Sequence, residues 1–172
     1  MFGDETVLAV VGYLQSRVTD INAVLGVYNL NLRGTDILDY ESQVMSIDRI
    51  PCMMLGEELT VKKSWNEAHY GIVEQYSFDI NGYLSYSDVD HNARAIRRFA
   101  QVVSQVLEDK RCEELPLPYY EWKLTWPADQ PPASQIEVGY AFIGDAFCRS
   151  FHIQTTFVLE RNALIHGVEG PQ

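Results

Sequence analysis

The sequence predicts an α+β fold: a mainly antiparallel sheet of about five strands flanked by two main helices. Helical spacing of apolar residues occurs in two stretches, 7–25 and 94–108, while several others alternate apolar and polar residues as half-buried strands do. The strands come in consecutive pairs around only two helices, unlike the strand–helix–strand alternation of a doubly wound sheet. With 172 residues and 47% hydrophobic content, the chain suits one domain with a proper core, taken as 1–162. A flexible tail follows at 163–172.

The first helix shows in Val7, Val11, Leu14, Val18, Ile21 and Leu25, which share one helical face. Asp4 and Glu5 suit its positive end, and Gly26 supplies a stop. A coiled-coil seam would share the spacing, but the pattern lasts under three heptads, and packing on a sheet explains it better. From 27 to 49 the periodicity dissolves around Asn29, Asn31, Arg33-Gly34, Asp36 and Asp39. That stretch is a candidate extended arm or, equally, a misread strand or short helix.

The run IPCMML at 50–55 reads as a short buried strand ended by Gly56, with a loop or the tip of a long hairpin over 57–67. The clearest strand puts Tyr70, Ile72, Tyr76, Phe78 and Ile80 on one face, interrupted only by Glu74. Gly71, Val73, Gln75, Ser77 and Asp79 form the other, wet or partner-facing side. Asn81-Gly82 is a turn signal. Ser87 and Asp90, at capping-box spacing with Asp88 between them, open a second helix. Its buried stripe is Ile96, Phe99, Ala100, Val103, Val106 and Leu107. Arg94, Arg97, Arg98, Gln101, Gln105 and Glu108 lie opposite, and the helix ends near Lys110-Arg111.

Residues 115–118 form a proline-punctuated connector. Trp122, Leu124 and Trp126 alternate in a strand stopped by Pro127, and Pro131-Pro132 marks a loop. Ile136, Val138, Tyr140 and Phe142 form one strand face, and Phe151, Ile153, Thr155, Phe157 and Leu159 another. Gly144-Asp145-Ala146 joins the two as a hairpin loop.

Composition narrows function. A net charge of −11 argues against a protein that grips nucleic acid, though not against one that nucleic acid slides past. Cys52, Cys112 and Cys148 are an odd number without a CxxC pair, so they read as buried or idle thiols. The longest apolar run, at 7–14, is too short to cross a membrane and follows acidic residues, unlike a signal peptide. The expected location is the cytosol, or a particle assembled there.

Phosphate-cradling glycine motifs, a GxSxG elbow and HExxH are absent from the sequence. The fragment at 88–92 resembles a calcium-loop opening, but Ala93 stands at the turn glycine and Phe99 at the bidentate acid, so it reads as a helix cap. His69, His91, His152 and His166 share no ligand spacing, and His152 reads as a sheet-surface residue. Glu57-Glu58 and Glu113-Glu114 lack apolar flanks that would lift a pKa. No catalytic, cofactor-binding or metal-binding residue is assigned. The chain reads as a non-enzyme that works by binding other proteins.

Arg94, Arg97 and Arg98 are three of only 13 basic residues and gather on one helix face, as they would to meet carboxylates of a neighbouring subunit; an exposed, solvated face explains them equally well. Tyr40, Glu57, Glu58, Lys62 and Lys63 complete the candidate interface, on segments 27–49 and 56–66. Ten tyrosines, seven phenylalanines and three tryptophans fit a protein whose surfaces meet surfaces, although core filling accounts for most of them.

The order of an amphipathic helix, an irregular arm, IPCMML, HYGIVEQYSFDINGYL, DVDHNARAIRRFAQVVSQVL and the closing GYAFIGDAFCRSFHIQTTFVLE resembles tailed-bacteriophage tail-terminator and tail-completion proteins. The resemblance covers about residues 1–160 and rests on element order, length and acidity. It implies a structural virion protein, a homohexameric ring assembled in the host cytoplasm. Such a ring ends tube polymerisation, touches the tail tube protein and the head–tail connector protein, and passes DNA through an acidic lumen without specific binding. The alternatives are another neck or tail component, such as an adaptor or tube subunit, and a small-molecule-binding enzyme using the polar side of the 70–81 strand.

Overall fold

The computed structural model describes residues 3–40, 49–66, 71–85, 89–118 and 121–161. The fold is α+β, as the periodicities predict, but the sheet is larger and mixed. Among the described residues three α-helices, α1 (Gly3–Ser16), α2 (Val18–Leu25) and α3 (Val89–Leu107), accompany seven strands. The strands are β1 (Ile37–Asp39), β2 (Cys52–Asn66), β3 (Gly71–Ser85), β4 (Glu114–Pro116), β5 (Trp122–Thr125), β6 (Ala133–Ile143) and β7 (Ala146–Arg161).

The sheet runs β1-β2-β3-β7-β5-β4, and β6 also pairs with β7. Both β5 and β6 share one edge of β7: β6 takes residues 146–155 and β5 takes 158–161. β3 occupies the other edge, so they lie end to end. Every pairing is antiparallel except β1 with β2. The expectation of about five mainly antiparallel strands is thus corrected by two three-residue strands, β1 and β4, too short to show alternation. β4 lies in the expected proline connector, where Leu115 faces Leu124 of β5.

The predicted first helix is two. It breaks at Arg17, whose side chain turns inward to Asp20 and Asp109 and donates to the Tyr13 hydroxyl. The buried stripe survives the break, with Leu14, Ile21 and Leu25 fully covered. Gly26 does not stop the chain, which continues through a 3-10 turn until Asn29 adopts left-handed φ 58. Within the irregular 27–49 stretch, Asn22 exchanges two hydrogen bonds with the backbone of Leu32, and Gln15 donates to the carbonyl of Ile37. These contacts seat β1 beside β2.

Gly56 does not end its strand either. β2 bulges between Leu55 and Leu59 and runs on to Asn66, so the polar stretch expected as a loop or the tip of a long hairpin is mostly one arm of the β2–β3 hairpin. Gly56 holds φ +82 in the bulge, where a Cβ would lie 2.9 Å from a Val7 methyl. Asn81-Gly82, expected as a turn, lies inside β3 and pairs with both β2 and β7. The expected helix cap at Ser87 and Asp88 falls outside the described residues, as do Tyr70, His69, His166 and the tail.

The main core lies between the helices and one face of the sheet: Tyr76, Phe78, Ile80, Phe151, Ile153 and Phe157 meet Leu14, Ile21, Phe99 and Val103. Each such side chain stabilises by about 1.5–3 kcal/mol relative to exposure. A smaller cluster of Cys52, Met54, Tyr83, Ile143 and Cys148 covers part of the opposite face.

Candidate interaction surfaces

Burial of Ile96, Phe99, Ala100 and Val103 points the opposite face of α3 outward, carrying Arg94, Arg97 and Arg98. The 3-10 turn after α2 brings Tyr28 alongside, and these residues with Gln101 line an open cleft of about 470 Å³. Arg98 donates to Gln101 Oε1 at 2.9 Å. Arg17, Arg33, Arg49, Lys63, Arg111, Lys123 and Arg161 each pair with a carboxylate. The three cleft arginines form no such pair among the described residues. Three cations on one face leave the cleft suited to an anionic partner.

The other candidates are dispersed. Tyr40 is exposed just after β1. Glu57 and Glu58 stand in the β2 bulge, and the Glu58 amide donates to Asp79 Oδ1 at 2.8 Å. Lys63 lies 3.6 Å from Glu74 across the hairpin, whereas Lys62 points to the opposite face.

One surface was not singled out from the sequence. Ile136, Val138, Tyr140 and Phe142 share the helix-side face of β6, yet each is 44–70% exposed. Phe147 of β7 joins them, its ring centroid 5.2 Å from that of Tyr140 and 5.1 Å from that of Phe142. Arg149 packs over the Tyr140 ring at 5.4 Å. Alternation revealed that this face is apolar but not whether a helix covers it. A second exposed apolar pair, Trp65 and Ile72, faces the same way near the end of the β2–β3 hairpin.

Chemistry concentrates at one other place. Asp79, expected on the wet or partner-facing side, is 1% exposed; it accepts from the Asn81 side-chain amide, and Asn81 Oδ1 meets His152 Nδ1 at 2.8 Å. With the Glu58 amide, this chain of bonds ties β2, β3 and β7 together and satisfies a buried carboxylate. It is a structural ladder. Burial pushes the Cys52 and Cys112 thiols up to about 12 and raises that of Cys148, so all three stay protonated and weakly nucleophilic. Among the described residues no group of three or more His, Cys, Asp or Glu is placed to hold a metal ion. No described helix is long and apolar enough to cross a membrane.

No family model matches the chain, and no curated protein does.

Proposed function

We propose that the protein is a structural virion component, a tail terminator or tail-completion protein that forms a ring on the end of a phage tail tube. The observation that carries this reading is the exposed row Ile136, Val138, Tyr140, Phe142 and Phe147. A contiguous apolar face of this kind marks a surface that another protein covers. The cleft arginines add a polar contact for acidic groups of a neighbouring copy or partner.

The physical logic of the role follows from symmetry. A tube grows by repeating head-to-tail contacts, and growth ends when a ring matches the tube on one side only. Its other side is then free for the head connector. A net charge of −11 favours a lumen through which DNA passes without adhesion, because no counterions are released on contact.

The test is the native mass of the purified protein, alone and mixed with tube protein. A closed ring of six, bound at one tube end and halting elongation, is the expected result. Incorporation along the whole tube would identify a tube subunit instead. A strict monomer under both conditions would remove the reading.

A further inference from the structure

We infer that copies of this chain join edge to edge, the free edge of β6 in one copy adding to the outer edge of β2, over 59–66, in the next. This rests on the self-association proposed above and names the surface it uses.

Strand order leaves both edges open among the described residues: β6 pairs only with β7, and β1 covers β2 only at residues 53–55. Open edges present rows of unpaired N–H and C=O groups, and proteins ordinarily guard them with Lys, Pro or a bulge. Residues 136–143, IEVGYAFI, contain none of these, and their one charge is Glu137. An unguarded edge about 25 Å long is suited to being occupied.

The two edges match face for face. On the helix side β6 offers Ile136, Val138, Tyr140 and Phe142, and β2 offers Leu59, Val61 and Trp65, with Lys63 between the last two paired to Glu74 of its own hairpin. On the far side β6 carries Glu137, while β2 carries Thr60, Lys62 and Ser64. Joining them continues a mostly apolar face, its one cation Lys63 already held by Glu74, and sets Glu137 on the same face as Lys62.

Polarity agrees as well. The successive antiparallel pairings β2–β3, β3–β7 and β7–β6 make β2 and β6 run in opposite directions. A neighbour related by rotation therefore presents its β2 antiparallel to β6 with the helices on the same side. Such a contact is head-to-tail, the kind that makes a ring when the rotation between copies closes. Pairing β6 with its own copy would bring Glu137 residues onto one face without a cation, and pairing β2 with its own copy would do the same with Lys62. The charges favour the unlike pair.

Hydrogen exchange of the assembled and the diluted protein reads the joint directly. Protection gained together at 59–66 and 133–143 is expected. Lys62→Glu and Glu137→Lys, both at exposed positions, are each expected to weaken assembly roughly ten-fold, and the double variant to recover most of it. Circular dichroism verifies that each variant is folded. Assembly without protection at these segments would overturn the joint while leaving the ring reading intact. Protection at 133–143 alone would also overturn it, in favour of β6 pairing with itself. A monomer at every concentration would remove joint and ring together.

Discussion

Phe151 lies edge-on to Phe99, ring centroids 4.8 Å apart and planes at 79°, and its ring edge rests on the backbone of Gly82. A Cβ at position 82 would fall 2.1 Å from Phe151 Cε1, and both rings are fully buried. Gly82→Ala must displace Phe151 and disturb the α3–sheet contact, so it should cost about 1–3 kcal/mol. Phe151→Ala removes the ring itself and should cost about 3–5 kcal/mol. Urea unfolding midpoints give the order; a Gly82→Ala protein as stable as the parent would show that the ring has room to move.

The same residues show what was legible. Periodicity is a local property, so the α3 stripe and the β7 alternation could be read directly, and both are buried as expected. Gly82 could not, because its reason is Phe151, distant in sequence, and a neighbouring Asn made the pair look like a turn. Gly56 misled in the same way, its reason being Val7 overhead. The arginine cluster was visible as spacing on one helix. Exposure of the β6 row was not, since alternation separates two faces without saying which one a helix covers.

Asp36 is a second long-range determinant. It is 2% exposed and held between Arg33 Nε at 2.5 Å and Arg49 Nε at 3.0 Å, while Arg49 also donates to the Thr35 carbonyl. Both arginines remain partly in solvent, so the penalty for Asp36→Ala should be about 2 kcal/mol, below the ~3–5 kcal/mol of a fully buried pair. Arg33→Ala leaves Arg49 in place and should cost under about 1 kcal/mol. Faster amide exchange at 33–39 in Asp36→Ala, without change in β7, is the expected signature.

Stability should fall on the alkaline side. Burial lifts the Tyr13 and Tyr83 hydroxyls from 10.0, and the Cys52 and Cys112 thiols from 9.0, each to about 12. The unfolded chain ionises at the lower values while the folded one keeps its protons. Their contribution is therefore full below about pH 9 and is lost as pH rises towards 12. Asp109 acts in the opposite sense. Hydrogen bonds from the Arg111 side chain and amide hold its carboxyl at about 2, against 3.8 ordinarily, so its contribution fades as pH falls through that interval. Urea midpoints measured from neutral to pH 11.5 should decline above pH 9, and Cys112→Ala should make that decline shallower.

The cleft arginines should separate folding from assembly. Reversing all three, with Arg94→Glu, Arg97→Glu and Arg98→Glu, breaks no ion pair among the described residues and removes one exposed hydrogen bond to Gln101. Monomer stability should therefore move by no more than about 0.5 kcal/mol per site. Assembly that uses the cleft against carboxylates should weaken sharply in this variant. Raising salt from about 0.1 M to 1 M shortens the screening length from roughly 10 to 3 Å and should weaken the parent assembly in the same direction. The apolar row on β6 carries no charge, so any assembly retained by the triple variant should keep only the salt dependence of the exposed Glu137–Lys62 pair. An assembly unchanged in size and salt response would remove the arginines from the contact and leave the β6 face to act without them.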